Sequence, residues 1–291
     1  MVFPGSAVRV RTIAFTLFAL VAFAANSVLC RLALAPGAID AASFSTVRLS
    51  SGAITLLMIT IVMQRGSFRV HGSWISAAML FSYAVPFSFA YLSLGAATGA
   101  LILFGAVQAT MMVAAIVAGE RPHPWQWLGL FVALTGLVGL VLPGLTAPPL
   151  VGSALMAIAG ISWGGYSLRG RGTADPLGDT TSNFLRSVPF VMIVSLFAVR
   201  QFHVTPSGIL LAICSGALAS ALGYVGWYAA LAGLTATRAA AVQLSVPVLA
   251  AVGGVAFLAE AVSLRLLVSA FLILGGVGLA VMGRKRVTDQ H

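Results

Sequence analysis

The sequence predicts an all-α membrane protein of ten transmembrane helices, arranged as two inverted five-helix repeats with both termini cytoplasmic. Three observations predict this. Of the 291 residues, 60% are hydrophobic and 8% charged, against about 45–50% and about 25% in a soluble domain, so apolar surface must face lipid as well as a core. Ten apolar stretches are each long enough to cross hydrocarbon, which takes roughly 17–25 helical residues. Finally, polar landmarks of one half recur at near-constant spacing in the other.

The first stretch, 12–33, follows Arg9 and Arg11 and, with Ala22-Phe23-Ala24, has the outline of a signal peptide. Its helical character runs on to Leu34 and its counterpart in the second half is internal, so it is read as a mature span. Spans at 41–63, 74–94, 98–118 and 125–142 follow, punctuated by Pro36-Gly37, Pro122 and Pro124, and Pro143-Gly144. The second half places spans at 150–169, 178–200, 207–231, 236–258 and 264–283, with Pro148-Pro149 before them and Pro206 among them. The chain thus divides into an N-terminal tail 1–11, a first repeat 12–142, a linker 143–149, a second repeat 150–283 and a tail 284–291. No connection is long enough to hold a soluble domain, so function belongs within or between the helices.

The net charge of +10 would suggest nucleic acid in a soluble protein. Here the basic residues sit in short loops and report orientation instead, so no nucleic-acid partner is expected. With the N-terminus inside, the inner segments hold Arg9, Arg11, Arg65, Arg69, Arg121, Arg169, Arg171, Arg238, Arg284, Lys285 and Arg286, and the outer ones Arg31, Arg200 and Arg265. That asymmetry follows the positive-inside rule. Arg48 and Arg186 fall about eight residues into spans, roughly 12 Å along a helix. They are expected to snorkel to opposite surfaces, with carboxylate binding as the alternative. Cys30 and Cys214 lie in apolar runs without metal or disulfide spacing.

The halves correspond residue by residue. Ala106-Val107-Gln108 recurs as Ala241-Val242-Gln243, followed by hydroxyls at Thr110 and Ser245. Arg31 and Arg48 match Arg169 and Arg186, and Glu120 matches Glu260. Because five is odd, the second half must lie upside down relative to the first. Such repeats carry their site near the midplane.

Polar residues inside hydrocarbon are costly and mark function. Asp40, Glu120, Asp175, Asp179, Glu260 and Asp289, and all four histidines, fall in loops, span ends or tails. No acid or histidine relay, no nucleophile with a base and no metal-ligand cluster is present in the spans, so neither an enzyme nor a cofactor or metal is expected. What the spans hold is amides, hydroxyls and aromatics. The candidate substrate-binding residues are Asn26, Ser27, Tyr83, Phe87, Phe104, Gln108, Trp163, Tyr166, Tyr224, Trp227, Gln243 and Ser245, with Pro86 and Pro247 as hinges that free a carbonyl four residues earlier. Two readings stand for Gln108 and Gln243, cavity lining or helix-to-helix hydrogen bonding. For Tyr91 and Tyr228 they are site or interfacial belt.

The run Ser220-Ala221-Leu222-Gly223-Tyr224 through Trp227-Tyr228-Ala229-Ala230-Leu231, then Gln243-Leu244-Ser245-Val246-Pro247-Val248 and Leu258-Ala259-Glu260, resembles the second repeat of the EamA type of the drug/metabolite transporter superfamily. Within it the chain looks most like the YddG-type amino-acid exporters. One departure is Ala25-Asn26-Ser27, where members commonly carry a tryptophan. The resemblance implies a multi-pass protein of a bacterial inner membrane that exports aromatic and other neutral amino acids by alternating access. A same-fold carrier of another metabolite, such as a purine or sugar derivative, is the nearest rival; a channel or a scaffold is more remote. The expected partners are a small-molecule substrate and the bilayer, with a monomer favoured.

Overall fold

A computed structural model describes residues 4–63, 72–119, 124–142, 147–170, 173–231, 233–234 and 242–288. Several sequence landmarks, among them Arg65, Arg69, Glu120, Arg121, Arg171, Arg238, Ala241 and Asp289, lie outside these residues. Ten helices are found among the described residues: α1 Pro4–Leu34, α2 Ala41–Met63, α3 Trp74–Ala90, α4 Ala96–Val117, α5 Pro124–Val141, α6 Leu150–Arg169, α7 Pro176–Phe197, α8 Pro206–Leu231, α9 Ser245–Leu258 and α10 Leu264–Thr288. Six of them (α1, α2, α4, α6, α7 and α8) are long and apolar enough to cross a membrane, and the other four are shorter apolar helices.

Local chemistry sets several of these boundaries. Ser73, Asp175 and Thr205 cap α3, α7 and α8 by accepting from the backbone N–H of Ser76, Gly178 and Gly208 at 3.0, 3.0 and 3.2 Å. Each satisfies an amide that the first helical turn leaves open. Pro176 and Pro206 follow two of these caps directly, where a missing N–H costs nothing. Compared with the expected spans, α1 and α10 run further outward, and α3 stops at Ala90 rather than 94, where Tyr91 N–H donates back to Phe87 O at 3.3 Å. Leu244 is the cap of α9, which places Pro247 in its first turn instead of mid-helix; residues 235–241 lie outside the description. Pro86 and also Pro189, which no sequence argument singled out, sit inside α3 and α7.

Packing runs mainly between the halves. Helix α1 lies against α8 and α9, α6 against α3 and α4, α2 against α7 and α8, α3 against α7, α4 against α9, and α5 against α10. The α5–α10 contact depends on Gly276, where a β-carbon would run into the backbone of Gly129 and Ala133. Gly139, Gly275 and Gly278 on the same two helices face open space. Pairs of hydroxyls join α2 to α7, Thr46 to Ser195 and Thr60 to Thr181, both at 2.7 Å. The outward surface is apolar, with Val117, Phe197 and Phe271 fully presented and Trp74, Trp125 and Trp127 exposed toward helix ends, as a lipid-facing wall requires.

Candidate functional site

The centre of the bundle is an aromatic cluster around Trp163 of α6. Its indole stacks on Tyr166 at 5.6 Å and meets Tyr83 of α3 at 5.0 Å, Tyr224 of α8 at 5.1 Å and Phe23 of α1 at 6.4 Å. Tyr83 continues to Phe87 at 5.4 Å, one turn along the same face of α3. All of these rings except Tyr166, with Asn26, Ser27, Leu103 and Phe104, line a cavity of about 20 Å³. That holds one water molecule and no substrate, so the centre is closed by its own side chains.

Beside the rings lies a buried polar network. Asn26 donates from Nδ2 to Ser220 Oγ at 3.1 Å and accepts at Oδ1 from Ser215 Oγ at 2.7 Å. Both serines belong to a π-helical stretch, Cys214–Leu222, within α8. Wide turns of this kind re-aim side chains and recur at functional sites. Gly216 lets this stretch lie directly on α2, because a β-carbon there would run into the Arg48 carbonyl.

Arg48 corrects the sequence reading. It does not snorkel; it is 1% exposed and turned into the bundle. Its Nη2 donates to Tyr83 Oη at 3.0 Å and its Nε to Ser220 Oγ at 3.4 Å, and its guanidinium lies 4.7 and 5.3 Å from the ring centres of Phe87 and Tyr83. The signal was present in the sequence. An arginine eight residues into an apolar span is costly to leave facing lipid, so it needs partners within the bundle whenever it does not reach a surface. Arg186 sits over Trp74 at the first residue of α3, with 5.6 Å from guanidinium carbon to ring centre, and its Nη1 is buried without a hydrogen-bond partner among the described residues.

Of the residues singled out from sequence, Asn26, Ser27, Tyr83, Phe87, Phe104, Trp163 and Tyr224 are brought together at the central cavity. Tyr166 stacks on Trp163 but opens onto a second cavity. Trp227 packs on Ala19 and Phe23, away from the central cavity. Gln108 and Gln243 are half-buried outside its lining, and Gln108 Nε2 has no hydrogen-bond partner among the described residues. Ser245 gives its hydroxyl to Val242 O at 2.6 Å. Tyr91 is fully buried and reaches Ala96 O at 3.4 Å, which removes the belt reading. Phe23 and Leu103 were missed. Phe23 precedes Asn26 by one turn on α1, and that spacing could have found it.

Comparison with known proteins places the chain. Residues 150–282 match the model of the EamA-like transporter family. The chain is also 48% identical over 274 residues to the uncharacterised protein PA1977 of Pseudomonas aeruginosa, covering 94% of this chain and 96% of that one. Residues 150–282 thus form an EamA-like transporter domain. A crystal structure with 19% identity shares the fold at a TM-score of 0.67, covering 92% of this chain and 97% of the other. EamA-like proteins are multi-pass membrane transporters rather than enzymes, and the apolar helices described above fit that class.

Polar contacts also mark the two ends of the bundle. At one end, Arg31 Nε pairs with Glu260 Oε1 at 3.4 Å and its Nη1 donates to Tyr91 O at 3.0 Å. The Glu260 carboxylate also accepts from Ala96 N–H at 2.8 and 3.0 Å, capping the positive end of α4. Four segments are tied in one knot. At the other end, a cavity of about 370 Å³ opens between α3, α6, α7 and α8, lined by Tyr166, Arg169, Asp179, Asn183 and Tyr228. Arg169, the counterpart of Arg31, donates there to Ser76 Oγ at 3.2 Å and Ser73 Oγ at 3.4 Å. Asp179 accepts from Gly72 N–H at 2.8 Å and from the Thr173 hydroxyl.

Proposed function

We propose that this EamA-like transporter is a facilitative exporter of amino acids, aromatic and other neutral ones, in a bacterial inner membrane, of the YddG type. It works by alternating access between two inverted repeats, 12–142 and 150–283. The observation that carries the reading is the aromatic and amide cluster about Trp163, drawn from α1, α3, α4, α6 and α8 and therefore from both halves. Apolar walls with a few fixed polar groups suit a small amphiphile, and ring faces attract an ammonium by about 0.5–2 kcal/mol.

Helix pairing supports the inverted repeat. Exchanging each helix for the one five places along turns α1–α8 into α6–α3, α1–α9 into α6–α4, and α2–α8 into α7–α3, and every one of these pairs is in contact. The positive-inside asymmetry puts the Arg31–Glu260 knot at the outer end and the Arg169 cavity at the cytoplasmic end. An exporter loads from that side. Asp40, Asp175, Asp179 and Glu260 all lie at helix ends, so the transport step uses no mid-membrane carboxylate and runs without proton coupling.

Proteoliposomes preloaded with unlabelled phenylalanine, threonine or methionine test this by counterflow of the labelled compound. Saturable counterflow of at least one is expected. Silence across the panel overturns the substrate class, strict dependence on an imposed pH gradient overturns the uncoupled mechanism, and competition by a purine or sugar derivative alone reassigns the cargo.

A further inference from the structure

We propose that Arg48 and Tyr224 form an anion-receiving pole of the central site, so that the transported class is the small monocarboxylate, amino-acid zwitterions included, and amines and phosphates are excluded. The inference rests on the carrier reading above and narrows it.

Arg48 is 1% exposed and no carboxylate pairs with it among the described residues. Two of its three nitrogens are used, on Tyr83 and Ser220, while Nη1 has no hydrogen-bond partner among the described residues. The same is true of Tyr224 Oη, in a side chain 3% exposed. The two groups belong together. Tyr224 lies about one turn beyond Ser220 on α8, and Ser220 receives the Arg48 Nε. Tyr83 and Phe87, which carry the guanidinium on their faces, line the central cavity alongside Tyr224.

A buried cation is retained against a heavy desolvation cost only where something offsets it. Aromatic faces and two neutral acceptors leave its net charge unbalanced. The missing partner is an anion, and the groups left open are one N–H of a guanidinium and one O–H of a phenol. A carboxylate with two acceptor oxygens fits that pair. One positive charge balances one negative charge, so a phosphate dianion would bring surplus charge into the hydrocarbon. An amine would set a second cation against the first. Selection against amines is thus electrostatic repulsion, which discriminates more sharply than the ring faces attract. Asn26, satisfied by Ser215 and Ser220, positions the π-helical stretch that holds Ser220 against Arg48.

The test uses the purified full-length protein and four probes that share a ring: L-phenylalanine, 3-phenylpropanoate, phenethylamine and phenyl phosphate. Binding is read by calorimetry and thermal stabilisation, and counterflow is read in proteoliposomes of the same preparation. The two carboxylates should bind, with the amine and phosphate at least about tenfold weaker. Arg48→Gln should lower carboxylate affinity about tenfold to a hundredfold, and Tyr224→Phe, which keeps the ring packing, about three- to tenfold. Phenethylamine or phenyl phosphate binding as tightly as 3-phenylpropanoate, failure of both carboxylates to bind, or undiminished carboxylate affinity in Arg48→Gln overturns the anion pole. Should Arg48→Gln fail to fold, unchanged affinity in Tyr224→Phe overturns it instead. Carboxylate binding without counterflow would leave the pole standing and remove the carrier reading; counterflow of phenethylamine alone would do the reverse.

Discussion

Trp163 and Trp227 looked alike as a pair of intramembrane tryptophans, and their surroundings separate them. Trp163 meets four aromatic rings at the cavity, whereas Trp227 fills a satellite contact with Ala19 and Phe23. Trp163→Ala is therefore expected to cut counterflow by about tenfold or more, since loss of a ring contact of roughly 1–2 kcal/mol falls on the substrate. Trp227→Phe should leave it within about twofold while the protein stays folded, which size-exclusion profiles and melting curves would check. Equal losses in both would return Trp227 to the site. Asn26 shows a different limit of sequence reasoning: its amide was correctly marked as a costly polar group in hydrocarbon, but both of its ends are used by serines. A residue's type says that a partner is needed; only the fold says whether that partner is a substrate or a neighbouring helix.

Among the elements, α8 was readable as a span and unreadable as a π-helix. Wide turns need a neighbour that accepts the displaced groups, and here Arg48 and Asn26 lie on two other helices. The close approach of α8 to α2 makes a sharp prediction. Gly216→Val places a side chain where the Arg48 carbonyl stands, and such overpacking costs about 1–3 kcal/mol. A lower melting temperature is expected, together with loss of carboxylate binding as the π stretch is pushed off Arg48. By contrast, Thr60→Val removes one hydroxyl of the Thr60–Thr181 pair between α2 and α7. Interhelical pairs of this kind average about 0.6 kcal/mol, so a small shift in melting with intact binding should result. A Gly216→Val protein as stable as the wild type would show that the two helices yield more easily than their contact implies.

Across the molecule, the two ends differ where the repeat correspondence makes them equivalent. Arg31 is locked to Glu260 beside a cavity of about 300 Å³, while Arg169 holds two serines beside one of about 370 Å³. Glu260→Gln should release the lock, because it weakens both the ion pair and the cap on α4. Cys30, fully buried next to Arg31, is a native reporter. In a Cys214→Ser background, a membrane-impermeant maleimide applied from outside should label Cys30 slowly in the parent and several-fold faster in Glu260→Gln. Equal rates would remove the knot as an outer gate.

Ten helices, six of them long and apolar enough to cross a membrane, and the transporter class were legible because lipid imposes a local rule: an apolar run bounded by caps and turn residues forms a helix whatever it packs against. Ser73, Asp175 and Thr205 supply such caps. The lining of the central cavity was only partly legible, since Phe23 and Leu103 entered it, Gln243 and Ser245 fell outside it, and Arg48 packed behind its Tyr83 and Phe87, through contacts between helices far apart in sequence. Arg48 makes the distinction plain. Its position in an apolar span is a property of the sequence, and so is the cost of burying it. Whether it reaches a surface or turns inward depends on where α3 and α8 place Tyr83, Phe87 and Ser220, and that is decided by packing across the whole bundle.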